Sequence, residues 1–383
     1  MSRSRRLTWY LIFNNSYSGI IKSQVLDRLE FIESTEQARF KIIAIVSPRL
    51  WWEQVSEYRK KSSLDVMVIP SFGGLRYWML NIPILWIIAL FQRPTTVIGR
   101  SMFATALGLG LKKLGMVAKV VHDGRGAEYA EWREYLSRDG SPFTLEYIER
   151  LERYVVTSSN AQLAVSHALI NYWTERFNYL GEAIVIPCTI NESSLDSDQT
   201  TITREHIGFS NGSVVLLLSL SRSDWQALDV IEGELEKLMQ NDPRINLLML
   251  SNQDIPEAWQ KFTDRIFQTW LSPDQVLAYY RVCDYGLLLR EKSITNQVAS
   301  PVKFAEYIYS GLKVIISSEI GDYSAMVSDY NLGYVLESSN ELSGLELQRR
   351  TNEERESLRR FAERNLSFRS KFEEYMSVLK VDD

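Results

Sequence analysis

Ser300–Ile316 reads SPVKFAEYIYSGLKVII, and these seventeen residues hold a helix start, one helical face, a glycine stop and a buried strand. Ser300 suits an N-cap, and Pro301 suits the first helical position, where its missing N–H would be unpaired anyway. Gly311 marks the stop, and Val314-Ile315-Ile316 is a short apolar run of the buried-strand kind. Lys303 breaks the scheme. A cation in the first turn opposes the helix dipole by roughly 0.3–1 kcal/mol, and a capping box would place Glu or Gln there. An anion held at the helix N-terminus would turn that penalty into attraction. Glu306 lies three residues on and shares the face of Lys303. A lysine for phosphate and a carboxylate for sugar hydroxyls are what a nucleotide-sugar site requires. An exposed Lys–Glu pair on a surface helix is the alternative that the helix pattern leaves open.

The alternation of apolar runs with helical patterns extends in both directions, the signature of parallel sheets with crossover helices. Strands are predicted at 8–13, 40–46, 66–69, 96–98, 119–122, 161–165 and 183–186 in the first half. The second half gives 214–220, 245–250, 265–267, 285–289 and 313–317, with a short edge strand at 335–336. Helical segments at 20–33, 102–114, 229–240, 273–283 and 301–310 separate them, and 352–379 is helical and strongly charged. Each series describes one doubly wound, Rossmann-like domain. The polar stretch after Ile186-Pro187, CTINESSLDSDQTTITRE, lacks periodicity and reads as a linker. The boundaries that follow are 1–187, a linker over 188–212, 213–360, and a closing helical segment over 361–383. Ligands of open α/β sheets bind beyond the carboxyl ends of the strands, so a cleft between two such domains is the expected site.

The 383 residues are 45% hydrophobic and 24% charged, which is ordinary globular composition. Apolar runs fall short of the roughly 18 residues of a membrane span. The N-terminal MSRSRRLTWYLIF stops being apolar at Phe13, so a first strand is expected there rather than a leader. Cys188 and Cys283 form neither a metal spacing nor a disulfide framework, and a reducing, cytoplasmic setting is expected. Residues 1–186 carry 23 Lys+Arg against 17 Asp+Glu, whereas the remainder carries 20 against 31. That asymmetry lacks the concentrated basic stripe of a nucleic-acid binder. It suits a first half facing an anionic surface, and chance accounts for it equally well. Residues 77–91, YWMLNIPILWIIALF between Arg76 and Arg93, read either as a buried helix or as an interfacial one.

With these residues in place, the chain resembles retaining glycosyltransferases of the GT-B fold, family 4. The strongest match runs from Tyr285 to Asp322, with a strand end, a variable loop, the SPxKxxEY…G helix, a buried strand and a Gly-Asp turn in the family's order. Asn15–Gly19, the DGRGAE of Asp123–Glu128 and Ile186-Pro187 match more weakly, as does 365–376, which fits the family's closing helix and implies that 361–383 crosses back toward the first domain. The resemblance implies two Rossmann-like domains facing a central cleft. It also implies transfer of a sugar from a nucleotide-diphosphate sugar to a hydroxyl of a glycan or lipid-linked acceptor, without a metal or other cofactor. Cell-envelope polysaccharide or glycolipid synthesis at the inner face of the membrane is the implied setting. A sugar-nucleotide epimerase or hydrolase of the same fold, or a catalytically silent binder, are the alternatives. Family 4 enzymes usually carry a carboxylate eight residues before the position of Glu306, and here that position is Val298. Either Asn296 substitutes for it or the interaction is missing.

Breaking a glycosidic bond to a diphosphate leaving group builds negative charge that fixed cations can meet. Arg222, in SLSRSD after the strand at 214–220, and Lys303 are the expected pair, Arg as a bidentate donor and Lys as a point charge. Glu306 is expected to take the ribose hydroxyls, with Ser300, Arg290, Asn296, Trp270, Leu271 and Gly19 also on the donor. Asp123, Arg125 and Glu128, with Arg100 at the neighbouring strand end, are expected on the acceptor. Asp123 is the candidate base, and a structural Asp–Arg pair is the alternative. Asp196-Ser197-Asp198 spells D-x-D inside the linker and is read as solvated. His122, His167 and His206 have no metal-ligand spacing. The chain contains no GxxxxGK[ST] or GxGxxG, against an ATPase or a dinucleotide enzyme.

Overall fold

The computed structural model describes residues 6–35, 37–137, 141–191, 202–220, 231–272 and 275–380. The chain divides into two compact units: unit 1 runs to Pro187 and resumes at Lys371, and unit 2 is Cys188–Ser370.

Unit 1 is built on a seven-stranded sheet of β1 Leu7–Phe13, β2 Arg39–Val46, β3 Asp65–Pro70, β4 Thr96–Arg100, β5 Lys119–Gly124, β6 Ala161–Ala164 and β7 Ala183–Val185. All neighbours pair in parallel in the order β3-β2-β1-β4-β5-β6-β7. The winding reverses between β1 and β4. Because side chains alternate along a strand, Tyr10 and Ile12 enter one core while Trp9, Leu11 and Phe13 enter the other. The last described helix, Phe372–Leu379, puts Tyr375, Met376 and Val378 into the first of these cores.

Unit 2 repeats the plan with β8 Val214–Ser219, β9 Ile245–Leu250, β10 Ile266–Thr269, β11 Tyr285–Leu288, β12 Lys313–Ser317 and β13 Gly333–Leu336. The order is β10-β9-β8-β11-β12-β13, again parallel, and the reversal falls between β8 and β11. All thirteen predicted strands are present, with ends differing by at most two residues.

Four expectations change. The linker predicted over 188–212 is, where described, part of unit 2. Ile190 bridges Ser367, and Arg204 is buried with its guanidinium 2.8 Å from Asp284 Oδ2. Asp284 is fully buried and also accepts from the Val215 and Arg350 amides at 2.9 Å each and from Arg355 Nη2 at 2.7 Å. The charged C-terminal segment is two helices, Asn352–Asn365 and Phe372–Leu379, and the chain re-enters unit 1 at Lys371 rather than near 361. Helix Val302–Tyr309 begins one residue late: Ser300 is not its cap, because its Oγ accepts from the Cys188 amide at 2.9 Å and meets Tyr323 Oη at 2.9 Å. Finally, Leu75–Gln92 forms an 18-residue helical segment of mean hydropathy 1.3, long and apolar enough to cross a membrane by length and composition alone. It joins a 3-10 turn, Leu75–Asn81, to an α-helix, Ile82–Gln92. Its inner side, Trp78, Leu85 and Ala89, is packed in the core of unit 1.

Candidate functional site

In unit 2 the residues of interest gather at the carboxyl ends of β8 and β11, where the sheet reverses. Gly286 is what lets the Lys303 helix lie there. A Cβ at Gly286 would stand 2.2 Å from Cδ2 of Tyr307, so β11 and the helix touch without space for a methyl group. From the helix's first turn, Lys303 Nζ donates to the carbonyl of Ser219, the last residue of β8, at 2.5 Å. Arg290 follows β11. Its amide donates to Ser317 Oγ at 2.8 Å, and that hydroxyl donates back to the Arg290 carbonyl at 2.9 Å. Its Nη1 donates to Asn296 Oδ1 at 3.0 Å. Lys303, Arg290, Ser219, Leu220 and Leu289 line one small pocket.

The electrostatics follow from this crowding. Lys303 is pushed down to about 8, first by burial and then by the neighbouring Arg290 charge, with Glu306 pulling the other way. Burial raises the Glu306 carboxyl to about 7 against the attraction of Lys303. Both residues are half-buried. Two cations line this pocket at the sheet reversal, and a carboxylate of shifted affinity stands one turn along the same helix, an arrangement suited to a phosphate carrying a hydroxylated neighbour.

The other expected donor residues fall in different places. Asn296 is buried, and its amide nitrogen donates to the Glu291 carbonyl at 3.0 Å, so it fixes the loop that aims Arg290. Val298 is buried as well. Ser300 is committed to Cys188 and Tyr323, a structural role. Trp270, 61% exposed, and half-buried Leu271 follow edge strand β10, two strands from β8. Arg222 and the D-x-D of 196–198 lie outside the described residues.

In unit 1, Arg100 and Asp123 are paired across β4 and β5, next to the reversal. Asp123 is 2% exposed; it accepts from Tyr10 Oη and lies 3.5 Å from Arg100 Nη1 and 3.3 Å from Arg125 Nη1. Burial alone would raise its carboxyl, but Arg125, Arg100, Arg28 and the Tyr10 hydroxyl together hold it down at about 2. Those contacts favour its ionised form and make Asp123 the anchor of an arginine cluster, the Asp–Arg pairing that the sequence leaves open beside the role of base. Tyr10 and Arg28 complete the cluster unforeseen. They lie far from Asp123 along the chain, and only the register of β1 against β4 brings Tyr10 in. Glu128 accepts the Met102 amide at 2.6 Å, at the start of helix Ser101–Lys113. Buried Glu152, also unforeseen, accepts the Glu128 and Tyr129 amides at 3.1 and 2.9 Å and holds the loop beneath. Burial raises both acids. Gly19 opens the first helix behind the Ser18 cap, whose Oγ accepts from the Ile21 amide at 3.3 Å.

No family model matches the chain, and no curated protein matches it. Solved structures do. A glycosyltransferase from Rickettsia africae is similar at a TM-score of 0.69 with 14% identity, over 99% of this chain and all of that one. HepE of Anabaena, solved with UDP and glucose, is similar at 0.66 with 12% identity, over 98% and 99% of the two chains. The UDP-GlcNAc 2-epimerase of Neisseria meningitidis, bound to UDP-GlcNAc, is similar at 0.58 with 13% identity, over 97% and 99%. The chain has the GT-B fold, in which each unit is a Rossmann-like parallel sheet flanked by helices.

Proposed function

We propose that the protein is a glycosyltransferase that moves a sugar, with retention, from a nucleotide-diphosphate sugar to a hydroxyl of a glycan or lipid-linked acceptor. The observation that carries this reading is the seating of Lys303 and Arg290 at the carboxyl ends of β8 and β11, with Glu306 one turn on. Lys303 and Arg222, which lies three residues along the chain from Ser219, would meet the charge growing on the departing diphosphate. Arg290 would add to that field and Glu306 would take the ribose hydroxyls. Fixed cations can supply this stabilisation without a metal. In unit 1 the Arg100, Arg125 and Asp123 cluster would orient the acceptor. Synthesis of cell-envelope polysaccharide or glycolipid, on the cytoplasmic side of the membrane, is the setting that fits such an acceptor.

Release of nucleoside diphosphate from a panel of nucleotide sugars tests this. Lys303→Ala and Arg222→Ala are each expected to cut turnover at least about a hundredfold, the loss typical of removing a charge-stabilising donor. Near-normal rates in both variants would reject the site. The epimerase among similar structures favours a second reading, sugar-nucleotide epimerisation. A transferase turns over donor faster when acceptor is added, whereas an epimerase needs none, and a silent binder releases no nucleotide.

A further inference from the structure

The segment Leu75–Gln92 meets solvent with the wrong chemistry. A helix on a globular surface turns a polar face outward. Here the outer face carries Met79, Leu80, Trp86, Ile87, Leu90 and Phe91, all exposed, with Phe91 84% exposed. Trp86, Ile87, Leu90 and Phe91 fall at the helical spacing that puts them on one side. The opposite side is anchored: Trp78 Nε1 donates to Tyr147 Oη at 2.8 Å, and its ring meets Phe103 edge-on. The same segment therefore cannot leave unit 1 to span a bilayer without emptying part of that core. It can lie flat on one.

Charge points to the occupant. From Val66 to His122 the sequence holds six Lys and Arg and no Asp or Glu. Arg76 and Arg93 sit exposed at the two ends of the apolar segment, and Lys113 is exposed beyond it. A second copy docked face to face would bring these cations together with no carboxylate from the stretch to pair with them. An anionic lipid surface takes both parts at once: acyl chains receive the apolar residues, headgroups receive the arginines, and Tyr77 and Trp86 suit the interface between.

We infer that the outer face of Leu75–Gln92 is a membrane-docking surface that inserts into the headgroup layer of an anionic bilayer. It stands apart from the transferase reading, since vesicle binding needs neither donor nor acceptor. The test is flotation of the full chain with extruded vesicles of phosphatidylcholine alone or mixed equally with phosphatidylglycerol, alongside sedimentation velocity without lipid. The chain is expected on the mixed vesicles. Ile87→Asp with Phe91→Asp should weaken binding at least about tenfold, and Arg76→Glu with Arg93→Glu should weaken it about tenfold on mixed vesicles only. All these positions are exposed, so the melting temperature should hold. Equal flotation of wild type and the Ile87/Phe91 variant, or flotation of neither, overturns the inference. So does a lipid-free dimer that the Ile87/Phe91 variant converts to monomer.

Discussion

Burial raises Glu306 to about 7 and lowers Lys303 to about 8, and the proposed nucleotide-sugar ligand would demand a deprotonated Glu306 and a protonated Lys303. On that proposal ribose hydroxyls would donate to an ionised Glu306, and a diphosphate would pair with a charged Lys303. With Glu306 at about 7 and Lys303 at about 8, nucleotide affinity should peak between those values. It should weaken by up to about tenfold per pH unit as Glu306 protonates below, and again as Lys303 discharges above. Calorimetric titration with a nucleoside diphosphate from pH 5.5 to 9 reads both limbs. Glu306→Gln should erase the acid limb and spare the alkaline one, and a flat wild-type profile below 7 would end the assignment. In the free protein the same shift couples stability to pH. A carboxyl whose folded value is raised gives stability that is present below its ordinary value and lost as pH rises through about 7. Wild type should therefore lose stability relative to Glu306→Gln over that window, by about 2 kcal/mol at most given the partial solvent access of the side chain. At this scale the sequence was legible where a residue violated a local rule, as Lys303 does against the helix dipole. Tyr10, Arg28 and Glu152 break no local rule, so nothing in their neighbourhood marks them.

Strands were readable because each is a short apolar run bounded by turn residues, and both sheets are buried on two faces. Helix ends were less so: a serine before a proline looks like a cap, yet Ser300 finds stronger partners in Cys188 and Tyr323. The contact between β11 and helix Val302–Tyr309 is the element-scale feature on which the site depends. A methyl group on Gly286 would meet the Tyr307 ring at 2.2 and 2.6 Å, and that ring is fully buried and unable to swing aside. Gly286→Ala should cost about 1–3 kcal/mol by overpacking. Because the helix that yields also carries Lys303, nucleotide affinity should fall with stability. Gly233→Ala is the control, since nothing lies within 4 Å of its added Cβ. Its helix should gain as much as about 1 kcal/mol. Urea unfolding and nucleotide titration of the two variants check the pair, and a Gly286→Ala protein with unchanged affinity would uncouple the contact from the site.

Across the whole molecule, the two doubly wound units could be read from the alternation of apolar runs and helical patterns, but the place of the stretch after Pro187 could not. Arg204 sits in a polar stretch that looks like a tether, and only the buried carboxylate of Asp284, eighty residues on, gives it a place. The re-entry of the chain into unit 1 is expected from the family resemblance alone, because a charged amphipathic helix has no local mark of which core receives it. That re-entry makes unit 1 discontinuous, which has a measurable consequence. Tyr375, Met376 and Val378 are buried in the core they share with Tyr10, Ile12 and Ile42. Ending the chain at Ser370 would strip about 1.5–3 kcal/mol for each of the three, or about 4.5–9 kcal/mol together. That loss is comparable to the whole stability of an ordinary domain. Amide hydrogen exchange on the shortened chain should therefore show protection collapsing in β1 and β2. Strands β9 and β12 of unit 2, which do not border that core, should keep theirs. Val378→Asp in the full-length chain should reproduce the pattern more weakly, by placing an unpaired charge where the apolar side chain stood. Undiminished protection in β1 of both proteins would mean that the last helix rests on unit 1 without completing it.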